Sequence, residues 1–171
     1  AIQYANPVSV SGLSDFVPPA VVADATHDRN VEYSYDKADR RIETRLDAVR
    51  LFVNGQWMDN VRPTSRQAYD GVGNVVRDTD ANGNTTYHYF DGNGLEIGTI
   101  DAEGFLTVNQ YDAVGNKRFE TLYFDRQPLS AAQKETLDVR SFTPVGHGRT
   151  IEHVFDLGNN EIETRYPSAD L

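Results

Sequence analysis

The sequence predicts an all-β, mainly antiparallel protein: a ribbon of strand-turn-strand units forming a twisted or curled sheet, with one short helix in a long connection. Three observations carry that prediction. An aromatic-Asp pair recurs at Tyr69-Asp70, Phe90-Asp91 and Tyr111-Asp112, each 21 residues from the last. Two further D-x-x-G segments, Asp80 to Gly83 and Asp101 to Gly104, lie between those pairs. After each segment the residues alternate with a period of two, as in Thr85, Tyr87 and Tyr89 against Thr86, His88 and Phe90.

Each part of the unit has a physical reason. In Asp70-Gly71-Val72-Gly73-Asn74 the aspartate can fold back onto its own backbone, and glycine supplies a positive φ. Asparagine tolerates the same left-handed region. The aromatic before each aspartate closes a strand and packs on its neighbour. One 21-residue period is therefore two strands and two turns. Such a unit buries its apolar surface by stacking on the next one.

The pattern extends along the chain in altered form. Residues 1–30, with Pro7 and Pro18-Pro19, read as an extended lead-in. Residues 31–171 read as a single β domain, densest in repeats at 67–124 and interrupted by insertions at 47–66 and 125–150. Tyr35-Asp36 precedes the strand residues Ile42, Thr44 and Leu46. The insertion holds "LFVNGQWM", a hairpin with Asn54-Gly55 at its turn. Phe155-Asp156-Leu157-Gly158-Asn159 precedes Ile162, Thr164 and Tyr166. Five copies begin at 35, 69, 90, 111 and 155; the last gap, 44 residues, is close to two periods, so one unit there has been overwritten. In that gap Ser130 and Gln133 form a capping-box pattern, which predicts a helix over roughly 130–138. The glycines are read as turn residues, apart from Gly98, which shares a strand face with Glu96 and Ile100.

Composition narrows the function. The formal net charge is −10 and the pI is near 4.7, which argues against a nucleic-acid partner or an anionic membrane. There is no cysteine, so neither disulfides nor thiol chemistry contributes. No apolar run reaches the ~20 residues that span a bilayer, and no signal peptide is apparent at Ala1. Membrane insertion is not expected.

Candidate sites are few. Asp78, Asp80 and Asn82 open like an EF-hand calcium loop, but its twelfth position is Tyr89 where a bidentate glutamate is wanted. A plain turn is the preferred reading, a weak calcium site the alternative, and no other cofactor is expected. His27, His88, His147 and His153 share no motif with a serine or carboxylate, so no catalytic residue is assigned; His88 reads as a sheet-face residue. Trp57, Tyr87 and Tyr89 could stack a sugar ring, against the reading that the tyrosines are packing residues of the repeat.

The motif Y-D-x-x-G-N followed by a strand, repeated in phase, resembles the YD repeat of RHS-repeat proteins. The residues that carry the resemblance are Tyr69, Asp70, Gly73 and Asn74, and Tyr111, Asp112, Gly115 and Asn116. Phe90, Asp91 and Gly94, and Phe155, Asp156 and Gly158, match with phenylalanine for tyrosine; Tyr35 and Asp36 keep only the first two positions. The resemblance implies a segment of a large secreted or cell-surface bacterial protein, whose repeats wind into a shell that often encloses a toxin. It implies neighbouring repeats of a longer parent chain as partners. The chain is too short to close a shell, and it has no Asp-Pro dipeptide of the kind where such proteins cleave themselves. The reading is a non-enzymatic structural module, with a glycan- or protein-binding module of a surface adhesin as the alternative. The charge predicts a monomer at low salt.

Overall fold

The computed structural model describes residues 2–3, 29–53 and 55–166. Of the expected 1–30 lead-in, all but residues 2–3 and 29–30 lies outside the described residues, as does Asn54 at the expected hairpin turn. The chain divides into two compact units: Ala1–Arg66 with Asp80–Asn82, and Gln67–Thr79 with Gly83–Leu171.

The first unit is built on the antiparallel pair β2 (Arg29–Tyr35) and β3 (Arg41–Leu46), registered Tyr33↔Thr44. A two-residue strand, β1 (Ile2–Gln3), pairs with the start of β2 at Asn30 and Arg29. Strands β4 (Val49–Val53) and β5 (Gln56–Val61) form a separate two-stranded sheet. Val53 faces Gln56 across Asn54-Gly55, and Gly55 has φ +81°, so the expected hairpin forms. Strand β6 (Thr64–Tyr69) starts in this unit, where Thr64 to Arg66 pair with β3.

The second unit is a meander. From residue 67 it runs through β7 (Val75–Thr79), β8 (Thr85–Phe90), β9 (Glu96–Ile100), β10 (Phe105–Tyr111), β11 (Lys117–Arg126), β12 (Gly148–Phe155) and β13 (Glu161–Arg165). Each strand is a neighbour of the next in that order, and the sheet does not close. The 44-residue gap between the Asp112 and Asp156 turns holds one long connection. Strands β11 and β12 pair antiparallel, Thr121↔Thr150, as a simple hairpin would, but the turn between them is replaced by residues 127–147. That connection holds α1 (Ala131–Glu135). Its capping box is formed by Ser130 and Gln133 as the sequence predicts, but the helix ends at Glu135 rather than near 138. Thr136 caps it, and the chain turns again at Asp138, whose carbonyl accepts from Ser141 and Phe142 N–H.

The core forms where the connection lies over the sheet. Ile100 is 0% exposed, Leu106 1%, Tyr87 7% and Val139 8%. Tyr87 and Leu106 both face Ile100 across their ladders, so they share one sheet face. Val139 fits above that face because Gly98 has no side chain: a Cβ there would lie 3.1 Å from Val139 Cγ1 and 3.1 Å from Thr107 O. Gly98 is thus a packing glycine inside β9, the strand in which its alternation with Glu96 and Ile100 places it.

Candidate functional site: the aspartate turns and the groove beside them

One local structure recurs. At Asp70, Oδ1 accepts N–H bonds from Val72 (3.0 Å), Gly73 (2.7 Å) and Asn74 (2.9 Å), and Oδ2 accepts from Asn74 Nδ2 (2.8 Å). Asp112 takes Val114 N, Asn116 N and Asn116 Nδ2 in the same way. Asp156 takes Gly158 N, Asn160 N and Asn160 Nδ2. Asp91 takes Asn93 and Leu95 N–H, Asp101 takes Gly104 and Phe105 N–H, and Asp36 takes Ala38 and Arg40 N–H with the Arg40 guanidinium. The carboxylate fills the centre of the turn and satisfies amides that no strand partner reaches. Charged acceptors of several N–H bonds hold a proton weakly. Backbone N–H and side-chain donors accordingly hold Asp36, Asp112 and Asp156 below the usual aspartate range; at Asp70 burial pulls the other way, yet the Asn74 side chain and the turn amides still bring it down.

The residue three after each aspartate has positive φ. Glycine fills it at Gly73 (+108°), Gly83 (+88°), Gly94 (+80°), Gly104 (+96°) and Gly115 (+94°). Asp39 (+57°) and Asn159 (+61°) fill it in the outer turns. The last turn therefore sits one residue later than the match to Gly158-Asn159 implies: Asn159 takes the glycine place and Asn160 the asparagine place. Asparagine and aspartate tolerate that region, so the turn survives without glycine. Because the meander alternates direction, the turns at Asp70, Asp91, Asp112 and Asp156 share one end of the strands. Asn116 Nδ2 donates to Asn159 Oδ1 at 3.0 Å, tying one such turn to the next.

A groove of about 570 Å³ lies between the sheet and the connection, walled by Arg77, Tyr87, Tyr89, Ile97, Leu137 and Val139. Tyr89 Oη donates to the Lys134 carbonyl at 2.8 Å, and the Lys134 ammonium stands 5.7 Å from the Tyr87 ring centre. Arg77 pairs with Glu135. Burial, with Tyr87 nearby, pushes the Tyr89 hydroxyl far up. Both tyrosines of the expected sugar platform are thus engaged under α1. Trp57 is 61% exposed; it pairs with Phe52 at 5.3 Å between ring centres, with the Arg50 guanidinium 5.0 Å from its own ring.

Of the expected calcium ligands, Asp78 Oδ1 lies 2.8 Å from His88 Nε2, and Asp80 Oδ1 accepts the Asn82 N–H at 2.8 Å. Among the described residues no group of three or more histidine, aspartate or glutamate side chains could hold a metal ion. The sequence reading placed His88 on a sheet face but missed its partners: Nδ1 lies 2.6 Å from Glu96 Oε1, across the turn at Asp91. The signal was present, since His88 stands three before Asp91 and Glu96 five after, and His153 and Glu161 repeat that spacing about Asp156 with a 2.8 Å pair.

The family model of the RHS Repeat matches residues 69–106. No curated protein matches the chain. Among solved structures, a crystal structure of TcdB2-TccC3-TEV is 16% identical with a TM-score of 0.40, covering 82% of this chain and 8% of that chain. A crystal structure of TcdB2-TccC3-Cdc42 gives the same identity and TM-score, covering 81% and 8%. The chain spans about 8% of the length of those two chains. The stretch that matches the RHS Repeat model holds the turns at Asp70, Asp80, Asp91 and Asp101 and the strands between them.

Proposed function

We propose that the chain is a non-enzymatic wall module of an exported bacterial RHS-like protein, a shell or stalk segment of a toxin-delivery or surface protein. The observation that supports this most is the use to which the aspartates are put. At Asp36, Asp70, Asp80, Asp91, Asp101, Asp112 and Asp156 the carboxylate is turned inward onto backbone amides. A carboxylate used in that way builds sheet and is withdrawn from acid-base chemistry. The neighbours of such a module are further repeats of a parent chain, and its place is outside the cell or on its surface. The test is to tag the parent protein and follow it by fractionation and protease shaving. Recovery in the medium or at the surface, with further YD units flanking this segment, supports the reading. A cytoplasmic parent without further repeats overturns it.

A second reading, a glycan- or protein-binding module, is favoured by the exposure of Trp57 on the β4–β5 hairpin. Trp57 is the single tryptophan, so its fluorescence reports on that hairpin directly. A glycan array read with the intact chain and with Trp57→Ala separates the readings: binding lost in the variant supports the second, and an array without binding leaves the first.

A further inference from the structure

Asp78, His88 and Glu96 stand on three successive strands of the RHS repeat, β7, β8 and β9. His88 Nε2 is 2.8 Å from Asp78 Oδ1, and His88 Nδ1 is 2.6 Å from Glu96 Oε1. An ionised carboxylate only accepts hydrogen bonds, and a neutral imidazole carries one N–H. A ring with a carboxylate at each nitrogen therefore makes both bonds only as the imidazolium. When the ring is neutral, one contact sets a ring lone pair against a carboxylate oxygen. We propose that Asp78, His88 and Glu96 form a proton-operated clamp, which ties β7 to β9 through β8 when His88 is charged and lets this part of the repeat open when the ring loses its proton.

The surroundings agree with that assignment. Among the described residues, the charged groups that act most on His88 are Asp78 from β7 and Glu96 from β9. Arg77, beside Asp78, pairs with Glu135 instead. On β8 itself the titratable neighbours Tyr87 and Tyr89 alternate to the other face, toward Lys134. Burial pushes the ring's pKa down, but the two carboxylates outweigh it and the net shift is upward from 6.5. A histidine raised on folding stabilises the fold fully below its unfolded value and loses that contribution as pH rises through its folded value. The clamp is thus closed in mildly acid medium and released as the pH climbs above 6.5.

His153 supplies an internal comparison. It meets Glu161 at 2.8 Å in the equivalent cross-turn position, but its Nε2 has no partner among the described residues. One carboxylate asks for one N–H, which a neutral ring already has.

The experiment is a titration of the histidine ring C–H signals in the native chain by NMR, from about pH 5 to about pH 9. Amide exchange of β8, corrected for intrinsic rates, is followed in parallel. His88 is expected to titrate above 6.5, and Asp78→Asn and Glu96→Gln are each expected to lower it. Protection of the β8 amides should fall about tenfold through the same transition and lose that dependence in Glu96→Gln. A native His88 that titrates at or below 6.5 overturns the proposal. So does one that titrates higher while β8 protection stays flat. Both readings come from the native chain and hold whether or not the variants fold.

Discussion

Replacing Gly115 isolates what the turn demands of its backbone. Its φ is +94°, and an ideal Cβ built there meets no atom of the described residues within 4 Å. A side chain at this place costs no steric displacement, so any loss of stability comes from the backbone conformation alone. Left-handed backbone costs an L-residue about 1–2 kcal/mol, most for a β-branched one and least for asparagine or aspartate. The fold itself contains the comparison, because Asn159 holds the equivalent place at +61°. Gly115→Val is therefore expected to destabilise by about 1–2 kcal/mol, and Gly115→Asn by less than about 1 kcal/mol as φ relaxes toward the asparagine value. At this chain length each kcal/mol moves the melting temperature by about 2–4 °C. Urea unfolding followed by circular dichroism measures both. Equal midpoints for glycine and valine would refute the positive-φ turn. An asparagine variant as unstable as the valine one would refute the equivalence of the Asp112 and Asp156 turns.

Other outcomes follow from the same geometry. The depressed carboxyls at Asp36, Asp70, Asp112 and Asp156 contribute stability that is present above the unfolded value of 3.8 and lost as pH falls through their lower folded values. Acid unfolding below that value, flattened by Asp70→Asn with Asp112→Asn, is the expected circular dichroism result; an unchanged acid limb in the double variant counts against it. Gly98→Ala drives a Cβ to within 3.1 Å of Val139 Cγ1 and of a backbone oxygen, so a loss of about 1–3 kcal/mol is expected by urea titration, recovered in part by Val139→Ala. Calcium at millimolar concentration is expected to leave the melting temperature unchanged, whereas a site saturated at a hundredfold excess adds about 2.7 kcal/mol; a large upward shift, abolished by Asp80→Asn, would establish a site at that loop. Sedimentation is expected to show a monomer at low salt, where the net charge of −10 opposes association; a dimer there contradicts that expectation.

The strands and turns were legible because their determinants are local. A period-two alternation and an aspartate that folds onto its own backbone are written within ten residues of each other. The capping box at Ser130 was legible for the same reason. Its length was not: Thr136 and the Asp138 turn stop the helix at Glu135, although Leu137 continues the helical pattern. What the sequence hid depends on contacts across strands. Gly98 reads only as one more strand position until Val139, 41 positions away, is seen to occupy the space above it. Tyr87 and Tyr89 read as packing residues of the repeat, but that Lys134 of α1 is what they meet is not written near them in the sequence. The register of the last turn was misread because Gly158 is a glycine beside the place that needs a positive φ, and Asn159 is the residue that supplies it.

One repeat geometry continues in register across the 127–147 connection. Backbone NOEs between Thr121 and Thr150 test it most directly, since those residues face each other across β11 and β12 with the whole 127–147 connection between them in sequence. The account predicts a cross-strand NOE for that pair, with Thr121 Oγ1 and Thr150 Oγ1 in hydrogen-bond contact at 2.9 Å. Absence of that NOE, with β11 and β12 each protected by some other strand, would contradict it.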